Sequence, residues 1–361
     1  MKKLILSLII ITSGLFVMAQ TVPRVPLYEV FTSSTCGPCA PANAHMSPIF
    51  AQYTEQLAVV KYQMNWPGSG DPYFTDEGSS RRTTYGVTGV PYLSHNGSNQ
   101  AYSSVSNSNI DDQLISLAEM KMKVRYMIDV SNQSIRIKGY YEALKDFPGS
   151  LHKIFIPVLE RKTTQNKKSN GETEFHDVFK KMLPTANGDV LVGNINSGQT
   201  KDFDITYTFK GSFRLPSDAS DEIDNSTEHS VEEFADLHVI MFGQNMTTKE
   251  IYQAAVGESV DNVGDLERAW GSPTASVKNI AFENSVSVYP NPAFNSLTVN
   301  VINANNTTFE FQTLDGVLVD IAPVSYGDKA IFNVSNLATG LYILKVSNGE
   351  NTVVKKVSVS H

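Results

Sequence analysis

Both cysteines of this 361-residue chain fall within four positions, in Cys36-Gly37-Pro38-Cys39, and no third cysteine exists to pair with either. A structural disulfide stabilises by closing a long loop in the unfolded chain, and a loop this short removes little entropy. A structural zinc site wants four ligands, usually with a second Cys or His pair at short spacing. The histidines (His45, His95, His152, His176, His229, His238 and His361) are scattered and offer no such pair. The chemistry left to these thiols is that of a redox dithiol.

The flanking residues agree. Leu27-Tyr28-Glu29-Val30-Phe31 is apolar and aromatic, and reads as a buried strand. Thr32 to Thr35 is a polar turn. A helix is expected from Gly37 towards Tyr53, with Pro38 in its first turn and with Pro41 and Pro48 kinking or splitting it. That places Cys36 at the helix N-terminus, where the dipole and unpaired N–H groups favour thiolate. Cys36 is therefore expected to be the nucleophile and the more exposed sulfur. Cys39, one turn later on the same face, would resolve a mixed disulfide.

Further on, Gly86-Val87-Thr88-Gly89-Val90-Pro91-Tyr92-Leu93 precedes the turn signal Asn96-Gly97. Together with Cys-Gly-Pro-Cys, this Val-Pro before a short strand resembles the thioredoxin superfamily over residues 25–121. The resemblance implies an α/β domain (20–121) in which Pro91 is cis, preceded by β-branched Val90, and faces the dithiol. The order fits: strand, motif and helix, strand (Leu57 to Met64), helix (Asp76 to Tyr85), Val-Pro strand, hairpin and a last helix (Ile110 to Lys121). Gly37-Pro38 is similar to the reducing thioredoxins. Two departures stand out. Thr35 replaces the family's Trp, and Val30 stands where the family carries a buried Asp, with Glu29 beside it. Glu29 could take that proton-accepting role only if the strand is shifted or bulged by one residue; otherwise it is an exposed strand residue. The loop Asn65 to Thr75 is longer than the pattern needs and is expected to border the substrate groove.

The ends of the chain speak to location. Met1-Lys2-Lys3, the apolar run Leu4 to Met18 and the small residues Val17 and Ala19 before Gln20 form a signal peptide, residues 1–19. No later stretch is long and apolar enough for a membrane helix. From Ser285 to His361, short alternating strands separated by turns read as a small all-β sandwich. Its Tyr289-Pro290-Asn291-Pro292, Gly340-Leu341-Tyr342 and terminal Lys355-Lys356-Val357 resemble the C-terminal sorting domain of the type IX secretion system of Bacteroidetes. That resemblance implies handling by the secretion machinery, export to the cell surface, outer membrane or medium, and commonly removal of the domain.

Between the two, residues 122–257 carry strand-like runs (Val124 to Val130, Ser134 to Tyr140, Lys153 to Leu159, Asp202 to Phe209, Leu237 to Phe242, Ile251 to Val256) and read as an immunoglobulin-like β-sandwich. Phe175-His176-Asp177-Val178-Phe179-Lys180-Lys181-Met182-Leu183-Pro184 resembles a segment of the 28-kDa outer membrane protein family of the same bacteria, whose members join a thioredoxin-like part to a β-sandwich. Thr163 to Glu174 is expected as a mobile polar loop. Ser217 to Glu233 is expected as a solvated acidic loop, since it lacks calcium-loop spacing. Residues 258–284 are expected to link to the sorting domain.

A net charge of −8 with 18% charged residues argues against a nucleic-acid role. There is no phosphate-cradling or nucleophile-elbow motif, and no cofactor or metal is implied. Two readings follow. One is an exported thiol-disulfide oxidoreductase acting on disulfide- or thiol-bearing exported proteins. The other is a non-enzymatic surface binding or adhesion protein that retains a thioredoxin-like scaffold.

Overall fold

Runs of β-branched and aromatic residues fill much of the chain, and in the computed structural model they become strands. The structure describes residues 22–190, 194–270, 282, 285–301, 304, 307–314, 316–348 and 352–361. The expected signal peptide lies outside them. The first part alternates strand and helix, with β1 (Leu27–Thr32), α1 (Cys39–Phe50), β2 (Ala58–Gln63), α2 (Asp76–Tyr85), the hairpin β3 (Tyr92–His95) and β4 (Ser98–Gln100), and α3 (Asn107–Leu114). Strands then dominate, as β5 (Met120–Asp129), β6 (Ser134–Ala143), β7 (His152–Thr163), β8 (Phe175–Leu183), β9 (Asp189–Val190), β10 (Thr200–Thr208), β11 (Ser212–Phe213), β12 (Glu228–His229), β13 (Leu237–Asn245), β14 (Ile251–Val256) and β15 (Glu258–Ser259), before the short α4 (Val263–Glu267).

One sheet runs β14-β13-β7-β8-β2-β1-β3-β4, with β9 also paired to β7. β1 and β2 are parallel and buried at every residue, as parallel strands covered on both faces are. On one face Tyr28, Val30 and Val59 pack with Ala42, Met46 and Phe50 of α1. On the other, Leu27, Phe31, Val60 and Tyr62 share a core with Phe155, Phe179 and Phe242 of β7, β8 and β13.

That shared core corrects the expected boundary at 121/122. β2 is not an edge strand, because β8 lies parallel beside it with Lys61 opposite Val178. The chain divides instead between Leu266 and Glu267. A second sheet, β10-β6-β5-β15, encloses a core of Met120, Val124, Tyr126 and Ile137 with Ile156, Val158, Val239 and Met241. The strands over 122–257 thus lie in two layers, one of which is the sheet that carries β1 and β2.

Smaller differences have local causes. The helix expected over Ile110 to Lys121 stops at Leu114, because Met120, Met122 and Val124 bury one face of β5. α1 stays whole, since Pro41 sits in the first turn, where a missing N–H costs nothing, and Pro48 lies near the end. Part of the expected linker is folded. β15 pairs with β5, and Val260 and Leu266 are buried, whereas 271–281 lie outside the described residues.

The β3–β4 hairpin turns through Asn96 and Gly97, at φ 48° and 90°. A Cβ on Gly97 would meet the Lys249 carbonyl oxygen at 1.8 Å, so the turn requires glycine for space as well as for backbone. Just before it, the His95 ring stacks on Tyr28 with centroids 4.3 Å apart.

The second unit holds β16 (Ser287–Tyr289), β17 (Ser296–Asn300), β18 (Thr308–Thr313), β19 (Leu318–Val319), β20 (Val324–Tyr326), β21 (Lys329–Asn333), β22 (Gly340–Ser347) and β23 (Thr352–Val359). They form two four-stranded sheets, β16-β17-β21-β20 and β19-β18-β22-β23. Leu297, Val299, Phe311, Phe332, Leu344 and Val357 lie in its own core.

Burial, and then Arg24, push the His95 imidazole from its ordinary 6.5 down to about 4. Between those values the unfolded chain binds a proton there that the folded chain does not, so stability falls as pH drops through that window. Urea unfolding of His95→Gln should show a shallower acid loss between these pH values, with the two stability curves parallel above pH 7 (about half a unit past the upper value).

Candidate functional site

The dithiol loop leaves β1 at Ser33 and enters α1 at Cys39. Cys36 and Cys39 are joined as a disulfide with Cα atoms 5.3 Å apart. Cys36 N–H donates to the Ser33 carbonyl at 3.0 Å and Cys39 N–H to the Cys36 carbonyl at 3.1 Å. Cys36 is therefore tied in a turn ahead of α1, which begins at Cys39 and not at Gly37 as expected, so Cys36 is not at the helix N-terminus. The expected contrast in exposure is also absent, because Cys36 is 1% and Cys39 0% exposed while Gly37 and Pro38 form the exposed tip. The Val90–Pro91 peptide is cis and leads into β3, whose Tyr92 pairs with Phe31 of β1. Pro91 thus enters the sheet at the end of β1 from which the dithiol loop departs.

Two loops brace that departure. Asp71, fully buried in the Asn65–Thr75 loop, accepts from Ser34 N–H at 3.0 Å, from Tyr73 N–H at 2.9 Å and from the Asn166 amide at 3.2 Å. Burial pushes its carboxyl above the ordinary range, against the pull of these donors. The Thr35 hydroxyl donates to the Pro67 carbonyl at 2.6 Å. From the other side, Asn170 N–H donates to the Ser34 carbonyl at 2.9 Å and its amide to the Ser33 carbonyl at 3.2 Å. The Thr163 to Glu174 stretch is accordingly built into the site instead of being mobile. Thr163 and Asn166 are fully buried, Asn170 and Glu172 are half-buried, and Glu232 accepts from the N–H groups of Thr164 and Gln165. Asp71, Asn166, Asn170 and Glu172 escaped sequence reasoning, and no local periodicity or motif marks them.

Glu29 follows neither expected course. β1 keeps regular register with both neighbours, Glu29 opposite Val60 and Ser94, so the shift its proton-accepting role requires does not occur. The side chain points to the face away from α1. It is also fully buried, which an exposed strand residue is not. Arg81 Nε and Nη2 donate to Glu29 Oε1 at 3.0 and 2.8 Å, Tyr62 donates to the same oxygen at 3.0 Å, and Tyr85 donates to Oε2. Arg81 Nη1 also reaches Gln244 Oε1 of β13 at 2.8 Å.

On the α1 face the sheet turns polar towards the ends of β1 and β2 nearest the dithiol loop. Thr32, Lys61 and Gln63 are buried there, and α1 sets Asn43 and Ser47 against them, four and eight residues after Cys39. The Asn43 amide donates to Thr32 Oγ1 at 3.1 Å and to Glu172 Oε1 at 2.9 Å. Lys61 Nζ donates to Ser47 Oγ at 3.1 Å. Burial lowers the Lys61 pKa, with Asp177 and Glu172 opposing. Among the described residues no group of three or more His, Cys, Asp or Glu side chains is placed to hold a metal ion, and no helix is long and apolar enough to cross a membrane.

In the second unit, three separated motifs converge. β22 and β23 pair with Gly340 opposite Val359, Tyr342 opposite Val357 and Ile343 opposite Lys356. Asn291, between Pro290 and Pro292 after Tyr289, donates to the Lys356 carbonyl at 2.9 Å and accepts from Ser358 N–H at 2.8 Å. Tyr342 is buried, and its hydroxyl donates to the Ala338 carbonyl. Val357 is in the core, while Lys356 is exposed and Lys355 half-buried.

Residues 287–360 match the secretion system C-terminal sorting domain. The protein is exported to the cell surface or outer membrane. Among solved structures, HBP35 of Porphyromonas gingivalis is similar over 94% of this chain and 99% of that one, at 16% identity and TM-score 0.47. A protein from Agrobacterium tumefaciens is similar over 69% and 99%, at 15% identity and TM-score 0.38. A domain of the outer membrane lipoprotein Omp28 from Porphyromonas gingivalis is similar over 41% and 94%, at 15% identity and TM-score 0.25. No curated protein matches the chain.

Two outcomes follow from these contacts. Arg81→Ala leaves the Glu29 carboxylate buried without its charge partner, and urea unfolding should show a loss of about 3–5 kcal/mol. Deleting 287–360 should leave the remainder in the periplasm on fractionation, and a truncated chain at the cell surface would contradict the sorting role.

Proposed function

We propose that the exported chain is a thiol-disulfide oxidoreductase working through Cys36 and Cys39. The observation that carries this is the pairing of the chain's two cysteines with each other at the β1–α1 junction, behind an exposed Gly37-Pro38 tip. In the reduced chain, the Cys36 thiolate attacks a disulfide of another exported protein. The Cys36–partner bond forms and one partner sulfur leaves as thiolate. Cys39 gives up its proton and attacks Cys36 Sγ, the internal disulfide re-forms, and the second partner thiolate leaves. An external dithiol reductant restores the pair, and the reverse sequence oxidises a partner dithiol.

The thioredoxin-like reading is supported by the order β1, dithiol loop, α1, β2, α2, Val90-Pro91, β3 and β4. The backbone at Val90 and Pro91 is suited to hold a partner segment as an added strand. Kinship with the 28-kDa outer membrane proteins is supported by the Phe175 to Pro184 segment, which forms β8.

The burial of both cysteines favours a second reading, in which the disulfide is an inert clasp in a surface binding protein. Insulin reduction with dithiothreitol separates the two. On the redox reading the wild-type chain accelerates it, Cys36→Ser abolishes the acceleration, and Cys39→Ser accumulates mixed disulfides. Equal rates for wild type and Cys36→Ser would leave the clasp.

A further inference from the structure

The dithiol needs an acceptor for the proton that Cys39 loses, and β1 supplies none. Val30 is apolar, and Glu29 is locked to Arg81 on the far face. The α1 face has another carboxylate. Glu172, half-buried, accepts from Asn43, one helical turn beyond Cys39, at 2.9 Å. It also accepts from the Asn170 amide at 2.5 Å, and Asn170 bonds the Ser33 and Ser34 carbonyls just ahead of Cys36. Glu172 is therefore tied to chain segments on both sides of the dithiol.

The surroundings are unusually polar for a buried helix–sheet contact. Glu172 lines a small pocket with Thr32, Asn43, Ser47, Lys61 and Gln63. Gln63 is 2% exposed, and neither its amide oxygen nor its nitrogen has a protein partner; Asn43 Oδ1 has none either. Buried amides without partners are costly, and a pocket of this kind suits water that can relay a proton. The charged and titratable groups facing it are Lys61 from β2, His176 and Asp177 from β8, and Glu174 from the same loop. From α1 and β1 come the uncharged Asn43, Ser47 and Thr32.

We propose that Glu172 is the proton acceptor for Cys39, reached through the polar pocket beside Asn43. The proposal rests on the oxidoreductase reading. As Cys39 attacks Cys36 Sγ, its proton passes to the Glu172 carboxylate and from there to solvent, while the partner sulfur leaves with the bond's electron pair. Glu172 thus acts as the base for the thiol, supplied by the β7–β8 loop.

The test uses the full chain, reduced with dithiothreitol, desalted and mixed with dithiobis(nitrobenzoate). Attack by Cys36 releases one coloured thiolate and resolution by Cys39 releases a second. Glu172→Gln should leave the first release unchanged and slow the second by at least about tenfold near neutral pH, with the deficit shrinking as pH rises. Glu172→Asp should restore much of the rate. In a Cys36→Ser background, ultraviolet titration of the Cys39 thiolate should move to lower pH in Glu172→Gln, because a neighbouring negative charge has gone. Unchanged second release together with coincident titrations would overturn the proposal. Absence of the first release in the wild-type chain would instead overturn the oxidoreductase reading, and the titration would still judge the link between Glu172 and Cys39.

Discussion

The buried Glu29–Arg81 pair holds the first unit together. Both side chains are 1% exposed, so each charge is uncompensated without the other. The carboxylate sits on β1, with Tyr62 of β2 and Tyr85 of α2 donating to it, while Arg81 reaches across to Gln244 of β13. The guanidinium also lies over the rings of Phe155 and Phe242, 4.4 and 5.1 Å from their centroids. One cation thus joins α2 to strands from both halves of the nine-stranded sheet. Its desolvation is tolerated because nearly every donor finds an acceptor.

From that arrangement follows the setting of the dithiol. With β8 beside β2, the loop between β7 and β8 returns to the end of β1 and places Asn166, Asn170 and Glu172 against the Cys36 turn. The later strands therefore do more than extend a sheet, since they complete the polar surroundings of the two cysteines. Without the β7–β8 loop the Ser33 and Ser34 carbonyls would lose Asn170, and Asp71 would lose Asn166.

Local patterns in the sequence were legible. The Cys36 to Cys39 motif, the buried runs of β1 and β2, α2 from Asp76 to Tyr85, the Asn96-Gly97 turn and the convergent motifs around Tyr289, Tyr342 and Val357 depend on neighbours within a few residues. What escaped was long-range. Nothing near Lys61 announces that Val178 will lie beside it, so a boundary at 121/122 was a natural reading of an unbroken sheet. In the polar run Thr163 to Glu174, composition does not record which side chains turn inward, as Asn166 does among exposed neighbours. Glu29 sits between apolar residues in a strand, and only the partner 52 positions away explains its burial.

The distance along the chain between Asn170 and Ser33, 137 positions, bears on how the molecule can be dissected. A fragment ending near residue 121 would keep both cysteines, α1 and the Val90-Pro91 segment. It would expose the β2 edge that β8 covers and strand the Arg81 guanidinium without Gln244. Contacts this remote in sequence carry a larger loop-closure cost than contacts between near neighbours. The cysteines, only three positions apart, meet at little such cost. The thiols are therefore neighbours by sequence alone, whereas their environment is a property of the whole first unit.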